Sequence, residues 1–193
     1  VMQDYEAWML HAGLKRSSTS CYMRTLRTLY RRAVDDGLTE DRNIFRKVHV
    51  SVGKTRKRAV ASSVIRAILS LDLTGKPSLD FARDIFMFSF FTRGMSFVDM
   101  AHLKKKDLQN GFLSYRRRKT GQQLVIRWEK CMQEIVGKYP EDSFSPYLLP
   151  VLKYPFKDTH KHYRNVMSGI NRNLKEIARL ADISLPLSMY CAR

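Results

Sequence analysis

The stretch FFTRGMSFVDMAHLKKKDL, residues 90–108, decides the architecture of this chain because it ends one hydrophobic helix and begins another. The helix predicted over 78–91 is apolar on nearly every side and is therefore expected to be buried. It cannot run on through the turn, because Gly94 is free to adopt the positive φ of a helix C′ position. Ser96, with Asp99 three residues later, then begins a new helix as in a capping box. The pattern predicts helix, tight turn, helix, with an arginine in the turn.

The charge of the whole chain is as unusual as this stretch. Its 193 residues include 35 Lys and Arg but only 18 Asp and Glu, which leaves a formal charge of +17. Such an excess attracts polyanions and favours nucleic acid as the partner. An anionic membrane surface is the rival partner. The sequence shows no amphipathic anchor helix, no lipidation motif and no apolar run near the roughly 20 residues of a membrane span.

Cysteine and histidine usage argues against a metal site or a disulfide framework. Cys21, Cys131 and Cys191 are odd in number and widely spaced, which is typical of reduced thiols in the cytoplasm. The HKH motif at 160–162 lacks the spaced partners of a metal site and is interpreted as a solvated loop. Together with the charge that favours nucleic acid, this usage leads us to expect a cytoplasmic, nucleoid-associated protein that needs no cofactor.

The first 50 residues are predicted to be helical. A Ser or Thr of the KRSSTS cluster, 15–20, can cap a helix that runs to about Asp36 and stops at Gly37. One face of this helix carries a stripe of arginines, which is open to two interpretations, a solvated surface or a contact with phosphate. The apolar face expected to be buried comprises Tyr22, Leu26, Leu29, Tyr30 and Ala33, and the arginine stripe comprises Arg24, Arg27 and Arg31.

A linker is predicted to follow, because SVGKTRKRAVASS, 51–63, combines Gly, Ser and a basic run without periodicity. Its cations Lys54, Arg56 and Arg58 either belong to a hinge that is only solvated or lie along a DNA backbone. The serine pair at the end of the segment is expected to cap the next helix.

Beyond residue 110 the hydrophobic period changes from helical to alternating. GFLSYRRRKTGQQLVIRW, 111–128, alternates on both sides of KTG and predicts a β-hairpin with Gly121 at or near the turn. In such a hairpin Arg116 and Arg118 share one face, whereas Arg117 points to the other. Further helices are predicted over 129–138 and 161–181, so the fold class is mostly α with one small antiparallel sheet.

The sequence contains in order TRGMSFVDMAHLKKKDL, RRRKTGQQLVI and, at 186–193, PLSMYCAR. Together these motifs resemble the tyrosine recombinases, or phage-type integrases, and most of all the integrases of Bacteroides-type mobile elements. TRGMSFVDMAHLKKKDL is similar to the family's first-arginine motif and RRRKTGQQLVI to its catalytic-lysine hairpin. PLSMYCAR, 186–193, is similar to the start of its His-x-x-Arg motif. The resemblance implies a helical core-binding domain over 1–50, a basic linker over 51–60 and an incomplete catalytic domain over 61–193.

The same resemblance implies a phosphate-binding site, with two departures from the family pattern. Ser96 stands at the first-arginine position, so Arg93 is the nearest candidate to supply the missing positive charge. Lys119 would protonate the leaving 5′-oxygen, and Arg193 would hold the phosphate as the second arginine. Tyr190 stands at the histidine position, where it is either a hydrogen-bond donor to phosphate or an ordinary core aromatic.

The family's nucleophilic tyrosine comes after the second arginine, where this sequence ends. We therefore expect a fragment of a site-specific DNA recombinase that binds duplex DNA but does not cleave it, whereas the intact enzyme forms a 3′-phosphotyrosine. The intact enzyme is expected to be a homotetramer on DNA and the fragment a monomer, with no membrane partner. Phosphate contacts are expected from Arg24, Arg27, Lys54, Arg56, Arg58, Arg116 and Arg118.

Other classes of protein compete with this interpretation. A non-catalytic helical DNA-binding regulator explains the charge and the arginine stripe equally well, but gives no reason for a lysine hairpin followed by Tyr-x-x-Arg. An RNA-binding or ribosome-associated protein is compatible with the charge, but favours exposed aromatics on a sheet, whereas most aromatics here lie in apolar helical runs. A protein of the membrane surface is the third alternative.

Overall fold

The computed structural model describes residues 1–51, 59–140, 143–152 and 159–192. The chain divides into two compact units, Val1–Lys57 and Arg58–Arg193, each with its own hydrophobic core. Within the described residues, none of the helices combines the length and the apolar character needed to cross a membrane. The predicted site residues Lys54, Arg56, Arg58 and Arg193 lie outside the described residues.

The first unit is a pair of helices closed by the segment that follows them. α1 spans Met2–His11 and α2 spans Arg16–Asp35. The Tyr30 hydroxyl fixes the following segment, because it donates to the Glu40 carbonyl at 3.0 Å and accepts from the Arg42 amide at 2.7 Å. The buried core of this unit consists of Met9, Met23, Phe45 and Val48.

α2 differs from its prediction at its start and on one face. It begins at Arg16 with no side-chain cap bond, so the Ser/Thr cluster lies inside the first turns and does not cap them. The reason is packing, since Ser20 is buried and its hydroxyl donates to the His49 carbonyl at 3.3 Å. The expected buried face is wrong in part, because Tyr22 and Leu29 are 55% and 56% exposed.

The second unit is mostly helical and carries one three-stranded antiparallel sheet in the order β1-β2-β3. The predicted fold class is therefore confirmed. The helices are α3 Ser62–Ser70, α4 Pro77–Phe91, α5 Phe97–Ala101, α6 Lys130–Gly137 and α7 Thr159–Leu180. The strands are β1 Leu108–Gln109, β2 Phe112–Arg116 and β3 Gln123–Arg127, and short 3-10 helices span Lys105–Asp107 and Met189–Ala192.

α4 forms the centre of the core of the second unit. Its residues Ile85, Phe86 and Phe88 are completely buried, as the sequence predicts for this helix. α7 packs along α4, and the 3-10 helix Met189–Ala192 packs on both. α3 also starts where expected, but Ala61 is its N-cap and neither predicted serine caps it through its side chain.

The predicted hairpin is present as β2 and β3. Leu113 pairs with Ile126 and Tyr115 with Leu124. Leu113, Tyr115 and Ile126 are buried and face the core, whereas Val125 on the opposite face is 61% exposed. The alternation read from the sequence therefore sets which residues of the hairpin enter the core.

Candidate functional site

The turn after α4 places an arginine in a backbone conformation that favours glycine. Arg93 has φ of 58° and Gly94 has φ of 82°. The Arg93 amide donates to the Phe90 carbonyl at 3.0 Å, and the Gly94 amide donates to the Ser89 carbonyl at 2.8 Å. These are the two bonds of a Schellman cap, with Arg93 at C′ and Gly94 at C″. The expectation that Gly94 occupies C′ is therefore wrong by one residue.

Buried hydroxyl groups hold this turn in place. Thr92 is 2% exposed, and its hydroxyl donates to the Phe88 carbonyl at 2.6 Å. The Ser89 hydroxyl, completely buried, donates to the Met95 carbonyl at 2.8 Å. Because both ends of the turn are bonded to buried hydroxyl groups, the backbone at Arg93 is held in place while its side chain is exposed.

Ser96 caps α5 as predicted. Its hydroxyl oxygen accepts from the Asp99 amide at 3.3 Å, and the hydroxyl proton is donated to the Asp99 carboxylate at 2.6 Å. The serine that the sequence resemblance assigns to the first-arginine position is thus engaged with a carboxylate and supplies no positive charge. Any cation near this position must come from another residue.

Asp99 links this cap to the hairpin. Asp99, three residues after Ser96, is buried, with 5% of the residue exposed. Its second carboxylate oxygen accepts from the Arg118 backbone amide at 2.9 Å. One buried carboxylate therefore joins the Ser96 turn to the tip of the hairpin. The sequence indicates Asp99 only as a local capping residue and gives no signal for the contact with Arg118.

The hairpin tip presents Lys119 to solvent. The Arg117 amide donates to the Gln122 carbonyl at 2.8 Å, and the Gly121 amide closes the loop on the Arg117 carbonyl at 2.8 Å. Gly121 has φ of 70°, so it takes the turn role predicted for it. Arg116 and Arg118 are exposed and Arg117 is half-buried, but β2 ends at Arg116, so Arg117 and Arg118 belong to the turn. Lys119 thus lies one residue after the amide that Asp99 anchors.

A cavity of about 270 Å³ adjoins this link, between α5 and the hairpin. His102 lines it, and because a carbonyl only accepts, the 2.9 Å contact with the Val98 carbonyl places a proton on Nδ1 of His102. The ring of Tyr163 lies 6.5 Å from that of His102. Burial raises the pKa of Tyr163, and the negative charge of Asp99 adds to the rise. Tyr163 is therefore neutral at physiological pH, and no sequence signal marked it or His102 as part of this region.

The 3-10 helix Met189–Ala192 carries Tyr190, the first residue of the Tyr-x-x-Arg motif. Met189, Cys191 and Ala192 are buried, whereas Tyr190 is 60% exposed. Tyr190 is therefore not a core aromatic, which removes one of the two interpretations of this residue. The Met189 amide donates to the side-chain oxygen of Asn171 on α7 at 2.9 Å.

The predicted site residues of the second unit that the structure describes lie on three elements: the turn between α4 and α5, the hairpin and the last 3-10 helix. Ser96 and the hairpin tip are joined directly through Asp99. The 3-10 helix that carries Tyr190 packs on α4, the helix that precedes the Arg93 turn. In the first unit Arg24 is exposed and Arg27 half-buried. The described residues contain no cluster of three or more His, Cys, Asp or Glu side chains able to hold a metal ion.

Comparisons with known proteins find similarity in structure but not in sequence. No protein-family model matches the sequence, and no curated protein matches it significantly. A crystal structure of a lambda integrase(75–356) dimer bound to a COC′ core site matches at a TM-score of 0.71 and 16% identity, over 100% of this chain and 66% of that one. This chain has the fold of lambda integrase.

Two further crystal structures of lambda integrase give the same result. A tetramer bound to a Holliday junction matches at a TM-score of 0.66 and 16% identity, over 89% of this chain and 50% of that one. A dimer bound to a COC′ core site matches at a TM-score of 0.67 and 17% identity, over 95% of this chain and 51% of that one. The chain thus spans between half and two-thirds of the length of the integrase chains that it matches.

Proposed function

We propose that this chain is the DNA-binding and phosphate-holding part of a site-specific recombinase of the tyrosine class. One observation carries the proposal: the Asp99 carboxylate joins the turn at the first-arginine position to the hairpin that presents Lys119. This link joins two of the elements to which the resemblance assigns phosphate-binding residues through one buried carboxylate. The integrase fold of the chain supports the same function.

The proposed chemistry needs positive charge around a scissile phosphate. When a tyrosine attacks the phosphate to form a 3′-phosphotyrosine, negative charge builds on the nonbridging oxygens, so fixed cations stabilise the transition state. Arg93 and Arg193 are proposed for this role, because a guanidinium stays charged and offers a planar pair of donors. Lys119 is proposed to protonate the leaving 5′-oxygen, and Tyr190 to donate a hydrogen bond to the phosphate. Ser96 contributes by capping α5.

Duplex DNA is the proposed partner of both units. Residues 1–50 are proposed as the core-binding domain, 51–60 as the linker and 61–193 as the catalytic domain. The intact enzyme is proposed to act as a homotetramer in the cytoplasm, at the nucleoid, as the integrase of a mobile element of the Bacteroides type. The proposed phosphate contacts are Arg24, Arg27, Lys54, Arg56, Arg58, Arg116 and Arg118.

Three measurements on the 193-residue chain test this function. Fluorescence anisotropy with a labelled duplex should show binding that weakens steeply with salt, because phosphate contacts release counterions. Footprinting should then show protection of one duplex over others of the same length. On denaturing gels with nicked duplex we expect no covalent band, because none of the residues assigned here is a nucleophile. Equal affinity for every duplex and for an acidic polypeptide would contradict the proposal.

A further inference from the structure

The 3-10 helix that carries Tyr190 begins at an amide whose acceptor comes from another element. The first amides of a helix have no partner within it, and the residue before the helix usually caps them with its side chain. Here the Ser188 hydroxyl lies 3.6 Å from the Cys191 sulfur instead. The Met189 amide donates to the Asn171 side-chain oxygen at 2.9 Å, across 18 residues of sequence. Asn171 is thus an external cap for this helix.

The register of this short helix decides which way Tyr190 points. Three of its four residues are buried, and Tyr190 alone is 60% exposed. A 3-10 helix has about three residues per turn, so a slip of one position would turn Tyr190 toward the core and expose a neighbour such as Cys191. The Asn171 bond marks where the helix begins, and it therefore selects the register with Tyr190 outward.

We propose that Asn171 is a positioning residue that holds Tyr190 at the phosphate site. The proposal rests on the proposed function, which gives Tyr190 its contact with phosphate. An asparagine suits this position because its amide oxygen accepts from the Met189 amide without placing a negative charge beside a bound phosphate. An aspartate would make the same bond but would repel the phosphate.

α7 offers a matched control two residues further on. The Asn173 side-chain amide donates to the Ser78 carbonyl at 2.9 Å, in the first turn of α4. Replacing Asn173 therefore removes from the same helix a long-range bond between an asparagine side chain and the backbone, although in this bond the side chain donates. That bond does not involve the Tyr190 helix.

The first measurement is amide exchange at Met189 in the complete chain. Asn171→Leu should speed the exchange of this amide about tenfold or more, whereas Asn173→Leu should leave it unchanged. Asn171→Asp keeps the acceptor and should keep the amide protected. If Asn171→Leu does not fold cooperatively, Asn171→Ala makes the same comparison with a smaller side chain. Unchanged exchange in the folded variant would overturn the proposal.

The second measurement is duplex affinity in a double-mutant cycle with Tyr190→Phe. Asn171→Leu and Tyr190→Phe should each weaken binding by the same factor, about ten- to a hundredfold, as expected for one hydrogen bond to a charged group. Asn171→Leu should cause no further loss in the Tyr190→Phe background, since it acts through that hydroxyl. Asn171→Asp should weaken binding through its charge more than Asn173→Asp does.

The two measurements separate the failure of this inference from that of the function it rests on. If the wild-type chain does not bind duplex DNA, the proposed function is wrong, whereas the exchange at Met189 still decides whether Asn171 sets the register. If the chain binds DNA but the losses from Asn171→Leu and Tyr190→Phe add, Asn171 does not act through Tyr190 and the inference is wrong.

Discussion

The carboxylate of Asp99 accepts the backbone amide of Arg118 at 2.9 Å while its other oxygen holds the Ser96 hydroxyl at 2.6 Å. Asp99 is separated from Arg118 by 19 residues and from Ser96 by three. The same side chain therefore caps a helix and anchors the hairpin tip that carries Lys119. Burying a carboxylate costs free energy unless it keeps its hydrogen-bond donors. A substitution that disturbs the Ser96 cap should therefore also affect the hairpin tip, and the reverse.

Replacing Asp99 should therefore loosen the hairpin tip as well as the helix. Asp99→Leu leaves the Ser96 hydroxyl and the Arg118 amide without their acceptor, and we expect a loss of about 2–3 kcal/mol in the free energy of unfolding. Urea denaturation measures this loss, and amide exchange at Arg118 shows whether the tip opens. Asp107→Leu is the control, because its carboxylate accepts the Lys104 amide at 2.8 Å outside the hairpin. Equal protection of the Arg118 amide in both variants would contradict the link.

Replacing Arg93 with glycine should increase the stability of the chain and weaken its binding to DNA. A left-handed conformation costs a non-glycine residue about 1–2 kcal/mol, so Arg93→Gly should raise the free energy of unfolding by about 1 kcal/mol. If Arg93 holds phosphate, the same variant should bind duplex DNA more weakly. Thermal denaturation and anisotropy, measured on one sample, show whether the two changes oppose each other.

Two control variants separate strain from charge at this position. Asn110 also has a positive φ, 51°, so Asn110→Gly tests the stability gain without a change of charge. Arg66→Ala removes one exposed charge from α3 and tests the general loss of electrostatic attraction. Arg93→Gly variants that bind DNA no more weakly than Arg66→Ala would remove Arg93 from the phosphate site.

Local signals in the sequence predicted much of this region, and long-range contacts account for what it missed. The Ser96–Asp99 cap and the hairpin around Gly121 depend on spacings of a few residues, which a sequence displays directly. Arg93 at the C′ position was missed because glycine is the usual residue there and Gly94 was adjacent.

The remaining errors come from partners distant in the chain. The start of α2 was misplaced because Ser20 is buried against the segment that contains His49, and a serine in such a place resembles a helix cap. The bonds from Asp99 to Arg118 and from Asn171 to Met189 join residues 19 and 18 positions apart. Asp and Asn are common cap and surface residues, so neither position carries a local signal for its partner.

The exposed arginines of the hairpin should contribute to binding without selecting a sequence. Replacing both Arg116 and Arg118 with alanine removes two proposed phosphate contacts, so the slope of log affinity against log salt should decrease by about 2. The Arg118 backbone bond to Asp99 does not depend on the side chain and should persist. Anisotropy over a salt series measures the slope, and Lys130→Ala serves as control, because Lys130 is 89% exposed on α6. A slope unchanged from wild type would remove these two arginines from the interface.

The stability of the second unit should fall in alkaline solution through Tyr139. The Tyr139 hydroxyl donates to the buried Asp84 carboxylate at 2.8 Å, and Lys138 also binds that carboxylate at 2.9 Å. Burial raises the pKa of Tyr139 far above its usual range, and the bond to Asp84 raises it further. The unfolded chain therefore loses this proton near pH 10 while the folded chain keeps it, so stability is complete below about pH 10 and decreases above it.

Tyr139→Phe tests the origin of this alkaline loss. At pH 8 the variant should be less stable by about 1–3 kcal/mol, because a hydrogen bond to a buried carboxylate is gone. Above pH 10 its stability should decrease less steeply than that of the wild type, since the group with the raised pKa is absent. Urea denaturation between pH 8 and 11 measures both effects, with Tyr22→Phe as control, because Tyr22 is exposed in the other unit. Parallel curves for wild type and Tyr139→Phe would show that the Asp84–Tyr139 bond does not control the alkaline transition.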